Sequence, residues 1–292
     1  MLSSQVRPMP RSTSRNWGKI AADVFTYAAV LFAVLSILIP ALWMFSSALK
    51  GPDELYVVPM RWIPQKPQWS NFFAAWNALP FGRFLFNTVF VSTATAVLQL
   101  LNGALCAYVF ARIPFPGRDL LFLLFLGLMM IPAQTIMIPA YVIMSRLKWI
   151  NTYWALIIPH ISSVFGIFML RQAFLGIPND LIDAGIMDGA GHLRLLFQLM
   201  LPLTKPQLVT LGLLAFTGQW NDYFWPLIMT DTMNMRTLPV GLAFLRLVEY
   251  DYEGWGIIMA GTLLVLLPIL ILFLLGQRYF VISASRSGLH GV

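Results

Sequence analysis

Residues that could carry chemistry are few in this chain, and they are scattered. Its three histidines, His160, His192 and His290, are far apart and form no pair at the spacing of metal ligands. The single cysteine, Cys106, lies inside an apolar run, which excludes an intrachain disulfide and a multi-cysteine metal site and favours a packing role. The chain also lacks the G-x-x-x-x-G-K-[ST] loop that cradles nucleotide phosphates. We therefore predict no metal, cofactor or enzyme activity in this chain. If the protein takes part in a process driven by ATP, the nucleotide must bind another chain.

A polar, glycine-broken segment, Ile177–Pro206, lies between two long apolar runs. Pro178 suits the first turn of a helix, where its missing N–H costs nothing, and Asp183 adds negative charge close to the positive N-terminal end of that helix. Gly189 and Gly191 make continuation of the helix expensive and permit backbone angles with positive φ. The segment is therefore predicted to form a helix, a tight turn at the glycines and a second helix.

The second helix is expected from Leu193 to Met200. Pro202 and Pro206 then interrupt its hydrogen-bond ladder just as the next apolar run begins. A short helical pair with such sharp boundaries has the form of a loop on which another protein docks. We call the segment Ile177–Pro206 the docking loop.

The composition indicates a membrane protein. Apolar residues make up 59 % of the chain and charged residues 11 %, whereas soluble domains average about 45–50 % and 25 %. Crossing a bilayer takes about 20 apolar residues. Six runs meet that length: Val24–Leu49, Phe84–Ala111, Leu120–Ser145, Trp149–Leu170, Pro206–Thr230 and Gly254–Gln277. We therefore predict an all-α, polytopic membrane protein with six transmembrane helices.

Lysine and arginine set the expected orientation. With the N-terminus inside, eleven of them fall on inner segments and eight on outer ones, and four of the eleven precede the first run, where the positive-inside rule counts most. Both termini and the docking loop are therefore expected on the cytoplasmic side. The net charge of +7 is explained by these flanks and by anionic lipid, so no nucleic-acid partner is inferred.

On this interpretation the chain has three parts. Residues 1–19, basic and rich in Ser and Pro, form a cytoplasmic N-terminal tail, and residues 282–292 form a cytoplasmic C-terminal tail. Residues 20–281 form one transmembrane domain that includes the docking loop. No cleaved signal is expected, because the first apolar run is of full span length.

Polar and aromatic residues in or beside the runs are the candidates for a substrate path. The candidates are Asn87, Gln134, Trp220, Asn221, Asp222 and Tyr223. Amide and carboxyl groups suit sugar hydroxyls, and aromatic faces suit sugar rings. Asp222 is the most informative of them, because a carboxylate within a span is expensive and usually faces protein or water.

Each candidate has a structural alternative. Polar groups in membranes often join helices to one another, and Trp and Tyr are common in the aromatic belt at the outer interface. Pro132 and Pro139 in the third run each free a carbonyl and allow a kink. That run is therefore a candidate lining of the path, and a static kink in a packed helix is the alternative.

Several stretches together resemble one known family. In the docking loop they are Asp183-Ala184-Gly185, Asp188-Gly189-Ala190, Phe197, Leu201-Pro202-Leu203 and Pro206. Their order and spacing resemble the EAA motif of ATP-binding-cassette importer permeases, E-A-A-x-x-D-G-A followed by F and L-P-L-x-x-P. Outside the loop, Asn151-Thr152-Tyr153-Trp154 and Trp220-Asn221-Asp222 are similar to the carbohydrate-uptake subfamily. Within it, the chain is most similar to the second permease of maltose-type importers.

The resemblance implies roles in ATPase coupling for nine residues of the docking loop. They are Leu181, Asp183, Ala184, Gly185, Ile186, Asp188, Gly189, Ala190 and Leu193. The two aspartates would orient the loop and Gly189 would let it turn. The three large apolar residues would fill a groove on an ATPase, unless they pack within the loop or against the bundle. The chain departs from the motif twice, with Asp183 where Glu is usual and Gly185 where Ala is usual.

The resemblance also implies partners. The chain would pair with a homologous permease in the bacterial inner membrane, sit on two ATPase subunits that hold ATP and Mg²⁺, and receive a carbohydrate from a periplasmic or lipid-tethered solute-binding protein. The aromatic, proline-rich stretch 51–82 is an outer surface on which that protein could dock. Two other classes stay open, an ion-coupled secondary transporter and a non-transporting membrane scaffold. The first should place charges near mid-membrane, but the sequence offers only Asp222, which lies close to the outer end of its run.

Overall fold

The computed structural model describes residues 17–249 and 254–288, with side chains described over 20–249 and 254–277. Most of the predicted N-terminal tail, 1–19, and the last four residues of the predicted C-terminal tail, 282–292, lie outside the described residues. Within the described residues every regular element is a helix. The all-α class predicted from the sequence is confirmed.

The α-helices follow the chain in this order: α1 (Trp17–Ala48), α2 (Pro52–Leu55), α3 (Ser70–Ala78), α4 (Phe81–Arg112), α5 (Arg118–Gly127), α6 (Ala133–Arg146), α7 (Tyr153–Ile157), α8 (Val164–Leu175), α9 (Asn179–Met187), α10 (His192–Arg194), α11 (Leu201–Leu203), α12 (Lys205–Trp220), α13 (Phe224–Met229), α14 (Leu238–Val248) and α15 (Trp255–Gly288). Short 3₁₀-helices lie between them at Leu128–Met130, Ile158–His160 and Met233–Met235, and a π-helix lies at Leu195–Met200.

By length and composition, the described helices supply three single membrane spans, and up to six if each bent pair is one span. Three single helices are long and apolar enough to cross a bilayer, namely Ile20–Ala48 of α1, all of α4, and Trp255–Gln277 of α15. The other three are bent pairs. α5 and its 3₁₀ extension meet α6 at 97°, α7 and its extension meet α8 at 43°, and the stretch His192–Leu203 meets α12 at 86°. Counting each bent pair as one span gives the predicted number.

Each bend lies at residues that cannot simply continue a helix. Pro132 precedes α6 with an extended backbone (φ −60°, ψ 133°), and it brings no N–H to the hydrogen-bond ladder. Pro159 lies in the 3₁₀-helix before α8, and the Ser163 hydroxyl then caps α8 by accepting a backbone N–H at 3.1 Å. Thr204 separates α11 from α12, and Pro206 occupies the first turn of α12.

The fifth span ends earlier than predicted. Its apolar run extends over Pro206–Thr230, but α12 stops at Trp220 and α13 begins only after a gap. Asn221 lies at the C-cap of α12, and its Nδ2 donates to the Thr217 carbonyl at 3.1 Å, a local side-chain bond that competes with continuation of the helix. Asp222 therefore lies in a gap between two helices and not on a continuous span.

α4 is the central helix of the described bundle and packs against both α8 and α12. Its C-terminal half presents Ala104, Ala107 and Ala111, small side chains that let α8 approach closely. Leu170 and Phe174 of α8, both fully buried, lie in the same cluster. The cluster continues into the docking loop at Ile182, Leu195, Leu196 and Met200. Apolar packing thus anchors the docking loop to the bundle.

The other end of α4 packs on α14 at a glycine. Phe84 is fully buried there, and a Cβ added to Gly241 would lie 2.2 Å from its ring. We expect Gly241→Ala to overpack this contact, which typically costs about 1–3 kcal/mol. Thermal unfolding of the purified chain in detergent should show a lower midpoint for this variant.

Gly218→Ala in α12 is the matched control. The added Cβ meets nothing within 4 Å, and alanine is favoured over glycine in a helix by up to about 1 kcal/mol. Its midpoint should equal or exceed that of the unsubstituted chain. An unchanged midpoint for Gly241→Ala would contradict the described contact between α4 and α14.

Candidate docking loop and cavity

The docking loop forms two helices joined by a tight turn. After α9, Gly189 has φ +77°, the left-handed conformation that most side chains resist. The Ala190 N–H donates to the Gly185 carbonyl at 2.9 Å and closes the turn. The helix resumes at His192. The predicted helix, turn and helix are confirmed, and the positive φ belongs to Gly189 alone, since Gly191 has an ordinary φ of −73°.

The second half of the loop widens into the π-helix Leu195–Met200. Residues five apart share a face in a π-helix because its hydrogen bonds run from i to i+5. Leu195 and Met200 accordingly both point into the bundle and are 3 % and 0 % exposed. Thr204 ends this stretch, and its hydroxyl donates to the Met200 carbonyl at 2.8 Å. The second helix of the loop is thereby held against the bundle along its length.

The three residues expected to fill a groove all face away from the bundle. Leu181, Ile186 and Leu193 are 46 %, 53 % and 65 % exposed. Met187 is 87 % exposed and extends the same apolar surface. The residue of α9 that packs inward is Ile182, which is 8 % exposed. The alternative for these three side chains was packing within the loop or against the bundle. Their exposure does not fit that alternative.

The motif residues divide between the exposed surface and the contact of the two loop helices. The exposed ones are Asp183, Ala184, Asp188 and Gly189, and the partly covered ones are Gly185 and Ala190. A Cβ added to Gly185 would lie 2.6 Å from the buried Leu195 Cδ2. This close approach gives a physical reason for glycine at a position where the motif usually has alanine.

Arg112, the last residue of α4, joins the docking loop to two spans. Its Nη2 donates to the carbonyls of Phe174 and Ile177, and its Nη1 donates to the Asn179 Oδ1. The Phe174 carbonyl belongs to the last turn of α8, where a positive charge complements the helix dipole. Sequence reasoning assigned Arg112 no role beyond its charge, because its acceptors lie 62 to 67 residues further along the chain.

A second contact ties the docking loop to α4 on another side. The Tyr108 Oη lies 2.8 Å from the His192 Nδ1, and the two rings meet edge to face. Next to them is an almost wholly apolar cavity of about 330 Å³, which Cys106 also lines. From the sequence, the only function tested for His192 is that of a metal ligand. In the structure, His192 links α4 to the docking loop.

Gln134 and Asp222, two of the predicted path residues, line one cavity together with His160. We call it the polar cavity. Its volume is about 570 Å³, within the roughly 300–1,000 Å³ that is usual for small-molecule sites. The His160 ring lies edge-on to Trp225 at 5.4 Å between centroids, and the backbone N–H of Trp225 donates to the Asp222 Oδ1 at 3.4 Å. The sequence offered no reason to single out His160 for this place.

Asn87 lies elsewhere, in a network of hydrogen bonds. It is fully buried, and its Nδ2 donates to the carbonyls of Asn234 and Arg236 at 2.8 and 2.9 Å. Its Oδ1 accepts the Tyr153 hydroxyl at 2.7 Å. These bonds join α4 to the loop before α14 and to α7. The geometry corresponds to the packing alternative for this candidate.

The remaining path candidates flank the polar cavity without lining it. Trp220 is 1 % exposed and stacks on Phe216 at 5.6 Å between centroids, inside an apolar cluster. Asn221 is exposed at the end of α12, and Tyr223 packs edge-on against Phe224 at 5.3 Å. Of the six candidates, the structure brings Gln134 and Asp222 together in this cavity.

Lys50 fixes the start of the aromatic, proline-rich stretch 51–82. It is 1 % exposed, its Nζ donates to the Arg61 carbonyl, and its ammonium lies 4.2 Å from the centroid of the Trp43 ring. The pKa of this ammonium is lowered by burial, and the Glu54 carboxylate offsets only part of that effect. Beyond this tether the stretch exposes large apolar side chains: Val58, Met60, Trp62, Ile63, Trp69 and Phe73.

Comparison with known proteins gives matches over most of the chain. Residues 99–281 match the family described as "Binding-protein-dependent transport system inner membrane component". The chain is 34 % identical over 295 residues to the "Probable ABC transporter permease protein YurM" of Bacillus subtilis, covering 98 % of this chain and 93 % of that one. It is 38 % identical over 205 residues to the "Arabinooligosaccharides transport system permease protein AraQ" of Halalkalibacterium halodurans, covering 70 % of this chain and 73 % of that one.

Among solved structures, the fold is similar to a chain of "a bacterial ABC transporter involved in the import of the acidic polysaccharide alginate". The TM-score is 0.78 at 23 % sequence identity, and the match covers 94 % of this chain and 100 % of that one. The chain therefore has the fold of an ABC importer permease, and it belongs to the family of inner-membrane components of binding-protein-dependent transport systems.

Proposed function

We propose that this chain is one of two permease subunits of an ATP-driven importer, and that it forms with a homologous partner the path of a carbohydrate across the inner membrane. Its relatives are transport permeases, and one of them is named for arabinooligosaccharides. The chain has no nucleotide-binding loop of its own, so ATP and Mg²⁺ would be held by two separate ATPase subunits.

The observation that carries this proposal is the apolar surface of the docking loop, formed by Leu181, Ile186, Met187 and Leu193. It is exposed although the loop around it is fixed to the bundle by Arg112 and by buried leucines. An apolar surface on a rigid loop marks a place where another protein binds. A groove on an ATPase would cover it.

Orientation and the remaining partners follow from the same arrangement. With both termini and the docking loop in the cytoplasm, the ATPases lie on the side where ATP is found, and the outer stretch 51–82 faces a periplasmic or lipid-tethered binding protein. The apolar window of α1 has no buried residue in the described bundle, so it is free to meet lipid or the partner permease. Asp183 would pair with a basic group of the ATPase, as the acid of the EAA motif does.

Transport then becomes a two-state equilibrium of the permease pair. ATP binding draws the two ATPases together, and the docking loops carry that movement into the spans, which switches access from outside to inside. ATP acts at one site and the substrate at another, and each biases the same equilibrium. The anchoring of the loop to α4, α8 and α12 is what makes such transmission efficient.

The test is co-expression of this chain with the neighbouring ATPase and permease genes, followed by purification and reconstitution in lipid. We expect a stoichiometric ATPase to co-purify and its hydrolysis rate to rise when the binding protein is added with one saccharide of a panel. An ATPase variant without its P-loop lysine is the control for hydrolysis. If no ATPase co-purifies, the importer assignment of the docking loop is wrong, and an ion-coupled or structural role takes its place.

A further inference from the structure

Two bends and one gap between helices meet at the polar cavity. The first bend lies at Pro132 before α6, the second follows Pro159 and His160 before α8, and the gap between α12 and α13 holds Asp222. These breaks belong to segments far apart in sequence, yet Gln134, His160 and Asp222 from the three of them line one cavity. Discontinuous helices in transporters typically frame binding sites, since backbone and side-chain polar groups that leave the helix become available to a ligand.

The cavity lies level with the middle of α4. The Gln99 Nε2 of α4 donates to the His160 carbonyl at 2.6 Å. Gln99 lies near the midpoint of the 32-residue helix α4, about 27 Å along a length of about 48 Å at 1.5 Å per residue. The docking loop contacts one end of α4 through Arg112, so the polar cavity lies well away from it. Substrate sites near the midplane are the rule in transporters built from broken helices.

The chemistry of the walls is specific. Asp222 offers carboxylate acceptors, and Gln134 offers an amide with both donors and acceptors. His160 adds an imidazole ring to the wall. Phe224, which is 65 % exposed, adds an aromatic face. Among the described lining residues there is neither lysine nor arginine, so nothing in the wall carries a permanent positive charge.

We propose that the polar cavity contacts the substrate during its passage and takes a neutral, hydroxyl-rich ligand in preference to an anionic one. This rests on the proposed import of a carbohydrate. A carboxylate accepts sugar hydroxyls well but repels uronate and phosphate groups at close range, where the low dielectric strengthens the repulsion. The preference differs from that of the structurally similar importer of acidic alginate.

The charge preference is tested with thiol reagents. The chain has one cysteine, so Cys106→Ser yields a cysteine-free chain in which Gln134→Cys places a single thiol in the cavity wall. Cationic and anionic methanethiosulfonates of similar size are applied to the reconstituted complex, and each rate is normalised to that with free cysteine. We expect the cationic reagent to react about tenfold faster, and the added variant Asp222→Asn to bring the ratio close to one. Equal normalised rates, or no reaction of the thiol at all, would overturn the proposal.

Substrate contact is tested separately by uptake. The same binding protein delivers one neutral saccharide to wild-type and variant complexes in proteoliposomes, so any difference in uptake is a property of the permease. We expect Asp222→Asn and Gln134→Leu each to lower ATP-driven uptake about tenfold, the effect of losing one hydrogen bond to a charged or buried group. Asp231→Asn, an exposed acid outside the cavity, is the matched control and should leave uptake unchanged.

The outcomes distinguish failure of the proposed substrate contact from failure of the proposed importer function. Co-purification of the ATPase with each variant shows that the complex has folded and assembled. If wild-type complex takes up no saccharide with ATP, the proposed function fails, while the thiol rates still report the charge of the cavity. If wild-type uptake is present and both cavity variants match Asp231→Asn, the function stands and the substrate contact is wrong.

Discussion

Gly189→Val is expected to leave ATP hydrolysis running while uptake falls at least tenfold. Gly189 has φ +77° at the turn between the two loop helices, and a β-branched side chain resists that conformation at a cost of about 1–3 kcal/mol. Strain of this size shifts a conformational equilibrium by about tenfold for each 1.4 kcal/mol. The turn should open, the apolar surface of the docking loop should lose its shape, and hydrolysis should no longer drive the spans. Uptake and phosphate release are measured on the same proteoliposomes.

Two variants control this experiment. Gly191→Ala changes the neighbouring glycine, which has a negative φ and open space around its Cβ position, so coupling should persist. Gly189→Asn should retain part of the coupling, because asparagine tolerates the left-handed region better than valine does. Normal coupling in Gly189→Val would show that the turn is not needed for transmission.

Arg112→Met is expected to loosen the junction between the docking loop, α4 and α8 and to lower uptake, although the Tyr108–His192 contact and the apolar cluster remain. Methionine keeps an unbranched apolar stem but removes the guanidinium, so it donates no hydrogen bond to Phe174, Ile177 or Asn179. Losing donors of this kind at a helix end destabilises the junction by about 2–4 kcal/mol. We expect a lower unfolding midpoint and a weaker yield of co-purified ATPase, measured on the same preparation. Arg112→Lys should restore little, since an ammonium lacks the planar fork that reaches several acceptors at once.

The matched control for Arg112 is Arg118→Gln. Arg118 pairs with Asp119 at 3.1 Å, and the Asp119 side chain is 76 % exposed, so the pair contributes at most about 1 kcal/mol. Stability and ATPase yield should therefore stay close to those of the unsubstituted chain. Equal loss in both variants would mean that total charge, and not the hydrogen bonds of Arg112, holds the loop in place.

The docking loop was predictable because its determinants are local. Proline at the start of α9, glycine at the turn and prolines at the end act within one or two turns of the chain, and the backbone follows them. The exposure of Leu181, Ile186 and Leu193 was not predictable from local sequence. Their types did not distinguish docking from packing, and only the inward contacts of Ile182 and Leu195 decide which face remains free.

Features that depend on distant segments were not predictable in the same way. In the sequence, Arg112 is one of eleven basic residues expected on the inner segments. Its function becomes clear only from its acceptors on α8 and α9. His160 joins Gln134 and Asp222 only because the bends before α6 and α8 and the gap after α12 coincide in space. Asn87 was a candidate for the substrate path, but the structure gives it a packing role. It is as polar as Gln134, but a network of carbonyl and hydroxyl partners occupies it.

α8 enters the docking loop and α12 leaves it, while His160 lies just before α8 and Asp222 just after α12. The loop and the polar cavity are therefore opposite ends of one helical hairpin, whose arms of 12 and 16 residues measure about 18 and 24 Å. Such a hairpin behaves as a lever with rigid arms, so force reaches the cavity without a relay of side chains through the bundle. Residues at one end can change during evolution while the other end keeps its partner, which lets one coupling device serve many cargoes.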